Sequence, residues 1–207
     1  MSSHTRSPST LSFGFVVTLL VVIPTLASAE WILPKKGSVN LDGFLVVACA
    51  QTWYPEVCYD SLSPFVDVTE KAPGHLALIA LDQAVKETQQ FIARLPSLSD
   101  SLSGPAKIAV DGFLKIVTDN GAKIQGSLTK LQKVVGGKPG ASFEDTMVAI
   151  EKDLRTSVST VTSWADKLEA AGNSETCQAI KSLKYTITNA WNLVVFYFND
   201  ETSPTFT

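Results

Sequence analysis

The chain has 207 residues, with 17 basic and 20 acidic side chains, a formal charge of −3, 45% apolar residues, three cysteines and two histidines. An acidic balance without clustered Lys and Arg excludes nucleic acid and anionic surfaces as partners, because both require basic patches that release counterions. Lys35-Lys36 is too short a run to count and reads as a solvated pair.

The first residues carry His4 and Arg6 and no acid, and they lead into an apolar run over 13–27 that ends in Ala27-Ser28-Ala29. This is the pattern of a secretory signal over residues 1–29, with cleavage expected after Ala29. A membrane anchor needs about 20 uninterrupted apolar residues, whereas Gly14 and Pro24 interrupt this run. Removing 29 residues leaves 178, one core's worth, able to bury roughly 70% of its unfolded surface. The signal contains Arg6 and no Asp or Glu, so 16 basic and 20 acidic residues give the mature chain a charge of −4.

All three cysteines, Cys49, Cys58 and Cys177, lie after the signal. An odd count leaves one unpaired in an oxidising compartment. The close pair Cys49 and Cys58 is the economical bridge, and by the chain-entropy model a loop of this size contributes roughly 2.7 kcal/mol. Cys177 is then a free thiol, a partner for another chain, or a small buried apolar side chain, the last being the default.

Residues 30–72 read as an arm followed by a helical hairpin. Pro34, Gly37 and Ser38 loosen the arm; apolar residues from Leu41 to Cys49 crowd one side of a first helix, and Pro55 opens a second that reaches Leu62. Two such short helices need a larger body to dock on.

That body is expected over residues 73–198, as four helices with apolar steps of three and four. Leu78, Leu81, Val85, Thr88, Ile92 and Leu95 mark the first, which Pro96 is expected to stop. Gly104-Pro105 opens the second, with Val110, Phe113, Val117, Ile124, Leu128, Leu131 and Val135 in its stripe and Gly136-Gly137 at its end. Its Gly112, Gly121 and Gly126 weaken it and suggest close helix contacts. The third starts with Ser142 as N-cap and Asp145 three residues on. Its stripe is Phe143, Met147, Ile150, Leu154, Val158, Val161, Trp164 and Leu168. The fourth, capped by Ser174, carries Cys177, Ile180, Leu183, Ile187, Ala190 and Val194 up to an aromatic patch at 195–198, read as core packing at the bundle end. A frayed polar tail is expected over 199–207. The fold class is therefore all-α, an up-down-up-down four-helix bundle preceded by an N-terminal helical hairpin.

The expected mature chain keeps one histidine, His75, at a helix start, where a surface position explains it. Triads and His-based metal sites need partners at set spacings, and neither HExxH nor paired CxxC occurs. The stripes hold no carboxylate set for a di-metal site. No catalytic residues, metal or cofactor are expected. Composition and period alone fit an inhibitor, a cytokine-like ligand and a lipid carrier equally.

The decamer Cys-Ala-Gln-Thr-Trp-Tyr-Pro-Glu-Val-Cys at 49–58, followed by Ser61-Leu62-Ser63-Pro64, resembles the hairpin signature of plant invertase and pectin methylesterase inhibitors. Thr176-Cys177 is similar to the Thr-Cys that opens the last helix in that family. The resemblance implies a secreted apoplastic or cell-wall protein, a monomer free of membrane after signal cleavage. It would bind pectin methylesterase or invertase and block the cleft, performing no chemistry itself. Family members usually carry a second disulfide to the Thr-Cys cysteine from a position matched here by Ala109, which implies a reduced, buried Cys177. The Pro-Lys-Phe stretch of many invertase inhibitors is missing, and Gly137-Lys138-Pro139-Gly140 has the wrong order, which favours pectin methylesterase. The contact surface implied by the resemblance lies on bundle helices and points to Asp111, Asp119 and Thr176. The chain's end at Thr207 suggests a stand-alone inhibitor rather than the pro-region of an esterase. The alternative from another class is a secreted binding or signalling bundle that inhibits nothing.

Overall fold

The computed structural model describes residues 43–66, 72–100, 102–135, 137, 140–170 and 174–202; the expected signal 1–29 lies outside them. Among the described residues there are six helices and no strand. The two short ones are α1 (Gly43–Ala50) and α2 (Pro55–Leu62). The four long ones are α3 (Pro73–Asp100), α4 (Gly104–Val134), α5 (Ala141–Ala170) and α6 (Ser174–Thr202).

The long helices pack as a ring, α3 on α4, α4 on α5, α5 on α6 and α6 on α3, which sets α4 diagonally across from α6. Links of three to six residues cannot carry the chain back along a helix of about 45 Å, so sequential neighbours run in opposite directions. The stripes expected on α4, α5 and α6 supply much of the core, with Phe113, Val117, Ile124, Leu131, Ile150, Leu154, Val161, Leu168, Ile180 and Ile187 all fully buried. On α3 the expected Leu78 and Ile92 are half-buried, and Leu76 and Phe91 enter the core instead. Small residues on α3, Ala77, Ala80 and Ala84, let its neighbours approach. Gly112 and Gly121 do the same on α4: a Cβ at Gly112 would lie 3.3 Å from the Trp164 ring, and one at Gly121 3.2 Å from Ile92. Gly126 makes no such contact.

Three helix boundaries differ from the sequence reading. Pro96 does not stop α3, which continues to Asp100. Its missing N–H removes one bond to the carbonyl at 92, but the extra turn is tied down from outside. The buried Ser99 hydroxyl donates to Asp111 Oδ1 on α4 and accepts from Lys107 Nζ at 2.9 Å. The chain then reverses through Gly104 at φ 58°, left-handed backbone that glycine adopts without strain. Ser142 is not the N-cap of α5. The helix starts at Ala141, Gly140 accepts from the Phe143 N–H at 2.8 Å, and Ser142 sits exposed in the first turn. Finally, α6 extends to Thr202, past the expected boundary at 198.

The aromatic patch on α6 closes one end of the bundle. Tyr197 is buried against Gly74, where a Cβ would come within 3.0 Å of its ring, and Phe143 meets it edge-on at 5.9 Å. Burial, with Glu201 nearby, raises the Tyr197 hydroxyl above its ordinary pKa.

Candidate partner-binding surfaces

The hairpin packs on α6 through both of its helices and on α3 through α2. Cys49 and Cys58 are paired, with Cα atoms 5.6 Å apart and both side chains buried. Between them the chain turns over 51–54, where its backbone donors and acceptors need partners. Thr52 Oγ1 donates to the Cys49 carbonyl at 2.8 Å. The N–H groups of Gln51 and Thr52 donate to the carbonyls of Ala48 and Cys49, and the Cys58 N–H donates to that of Tyr54; further partners come from α6. Asn189, only 4% exposed, accepts from the Tyr54 N–H at 3.3 Å and donates to the Tyr54 carbonyl at 3.0 Å. Asn192, one turn on, accepts from the Trp53 N–H at 3.1 Å. The Tyr54 ring lies 4.2 Å from that of Tyr185, and Trp53 meets Trp191 edge-on at 5.9 Å. Sequence reasoning missed this grip because Tyr185, Asn189 and Asn192 flank the apolar stripe of α6 and resemble solvated residues. Their spacing of four and three, which puts them on one helix face, was the available signal.

A second surface is the outward ridge of α4. Ile108, 74% exposed, stands near its start. From there Lys107, Asp111, Lys115, Asp119 and Lys123 alternate in sign at four-residue spacing, each step a neighbour on the helix surface. Asp111 and Asp119 thus lie on the same helix, roughly 12 Å apart along its axis. Their environments differ. Asp111 accepts from Ser99 and pairs with Lys107 at 3.4 Å; the Ser99 hydrogen bond, followed by Lys107, holds its carboxyl below the ordinary value. Asp119 is exposed and has no ion-pair partner among the described residues. Beside the ridge Trp164 of α5 lies against Gly112, with Lys167 Nζ 4.5 Å above its ring.

Thr176 joins neither surface. It is 2% exposed next to the buried Cys177, so it offers nothing to a partner; its place on the core side of α6 explains this better than recognition does. Cys177 is unpaired and 3% exposed, its sulfur 3.8 Å from the Ala165 carbonyl. His75 is exposed. No group of three or more His, Cys, Asp or Glu among the described residues could hold a metal, and no helix there is long and apolar enough to cross a membrane.

The described residues thus define a four-helix bundle that carries a disulfide-bonded helical hairpin. The profile of the family described as plant invertase/pectin methylesterase inhibitor matches residues 44–190, and the chain belongs to that family. It is 29% identical to "Pectinesterase inhibitor 10" of Arabidopsis thaliana over 119 residues, 56% of this chain and 37% of that protein. It is also 26% identical to the "21 kDa protein" of Daucus carota over 144 residues, 68% of this chain and 74% of that one. The chain thus spans little more than a third of the length of the first relative. No solved structure matches it.

Proposed function

We propose that this protein is a secreted, monomeric inhibitor of a cell-wall carbohydrate-active enzyme, pectin methylesterase in preference to invertase. It acts by seating the outward ridge of α4 in or across the enzyme's cleft. The observation that carries this reading is the family match over 44–190, which spans the hairpin and most of the bundle. A preformed helical ridge supports it physically. Ile108 and Asp119 are displayed on a helix whose backbone is already ordered, so little conformational entropy is lost on association. The alternating charges leave the ridge close to neutral, which suits a contact fixed by register more than by net attraction.

The test is to titrate the purified protein into pectin methylesterase and into invertase at mildly acidic pH. Loss of methylesterase activity is expected, weakened by Ile108→Glu and by Asp119→Lys without loss of helical content. Inhibition of invertase alone would overturn the choice of target. Inhibition of neither enzyme would favour a binding bundle that is not an inhibitor.

A further inference from the structure

We propose that the corner where the hairpin meets α6 is a second binding site, for a neutral pyranoside polysaccharide, with Trp53 as its stacking face and Trp191 as its side wall. Trp53 is 64% exposed, yet its backbone is tied to α6. Its N–H is held by Asn192, the following residue is clamped at both N–H and carbonyl by Asn189, and the preceding Thr52 is buried and bonded to Cys49. The fold thus presents a large apolar ring to water on a rigid mount, which lowers the ordering cost of binding through it.

The shape and chemistry of the corner select the ligand. The two indoles are inclined at 64° with centroids 5.9 Å apart, so they form a floor and a wall rather than a flat patch. A pyranose fits that angle: the carbon-bound hydrogens on one face of the sugar carry slight positive charge and pack on the negative face of an aromatic ring. Amide groups border the corner. Gln51 is exposed two residues before Trp53, and Asn192, whose Oδ1 is occupied by the Trp53 N–H, keeps its NH₂ as a donor for sugar hydroxyls. No Lys or Arg lies on α1, the turn or α2, and the charges there are the exposed acids Glu56 and Asp60. On the hairpin side a polyuronate would meet like charge, and on α6 the cation on the face of Trp191 is Lys184, two turns away; the indole corner between them is uncharged, which suits a neutral glycan. The site is separate from the α4 ridge, because α4 lies diagonally across the bundle from α6. One chain can therefore hold a wall polysaccharide and an enzyme together.

The experiment uses the full secreted chain in co-sedimentation with cellulose and xyloglucan as neutral probes and polygalacturonate as the anionic one, while methylesterase inhibition is read on the same samples. The wild type is expected to bind a neutral probe with little change at high salt. Trp53→Ala should weaken that binding about tenfold, the scale of one aromatic contact. Trp53→Phe should recover part of it, and inhibition should be unchanged in both variants. The proposal is overturned if no neutral probe binds, if Trp53→Ala binds as the wild type does, or if polygalacturonate binds better in a salt-sensitive way. Loss of inhibition in Trp53→Ala with intact circular dichroism would instead make the corner a protein contact and overturn the glycan assignment.

Discussion

α1 and α2 are eight residues each, while α3 to α6 run from 28 to 31 residues, and the two regions differ in how much directional bonding supplements apolar burial. In the bundle, apolar stripes face one another over many turns. Their burial is non-directional, so it tolerates a proline inside α3 and a helix start displaced by a residue. The hairpin has too few turns to be stable in isolation; Leu45, Ala48 and Leu62 sink into the same apolar core as the bundle. Directional contacts add to that burial: an Asn amide bonded at both ends and two ring pairs to α6, with a disulfide joining the two arms. The comparison teaches that a small appendage with few buried turns adds polar contacts to its apolar footing to fix its orientation, whereas a bundle of long helices relies on area.

If this division is right, damage to each region should have a different reach. The largest effect is expected from Phe113→Ala. Its ring is fully buried and meets Phe91 at 5.9 Å and Trp164 at 5.4 Å. Removing it should cost about 3 to 5 kcal/mol and lower the single thermal transition followed by circular dichroism. A loss under about 1 kcal/mol would mean that the core there refills. Next comes Asn189→Ala, which strips the Tyr54 N–H of its acceptor and should cost about 1 to 3 kcal/mol. Hydrogen exchange should quicken at the amides around 52–58 and stay unchanged in α4 and α5. Uniform quickening would show hairpin and bundle to be one cooperative unit, and would erase the contrast drawn above.

The smallest effect is expected from Asp111→Asn, which tests the polar pin that extends α3 beyond Pro96. The Asp111 carboxyl is held below its ordinary value, so its stabilisation is present above about pH 4 and is lost as pH falls through the folded-state pKa. The difference in melting temperature between the wild type and Asp111→Asn should therefore be measurable at about pH 6 and narrow as the pH falls below the ordinary aspartate value. A difference that persists in acid would assign the pin to geometry rather than charge.

Much of the bundle was legible in the sequence because period is a one-dimensional property. The stripe positions named on α5 and α6 are buried, apart from the half-buried Trp164, since a residue three or four steps from a core residue has little choice of direction. What could not be read depends on partners distant in the chain. Asn189 serves a turn 135 residues away, and Ser99 is held by Lys107 and Asp111 across a chain reversal. The candidate site shows both outcomes. Asp111 and Asp119 were placed correctly on an exposed helix face, but the tie that occupies one and leaves the other open is tertiary. Thr176 was chosen by motif alone, and its position beside Cys177 carries it into the interior.

The manner in which Asn189 and Asn192 hold the turn has a consequence for variation among related chains. Every bond they make to residues 53 and 54 is to main-chain atoms, so the grip is blind to the side chain at 53. That residue behaves as an interchangeable fitting on a fixed bracket. Its identity can drift, or be engineered, to change the face exposed at this corner while the bracket and the bundle behind it stay as they are.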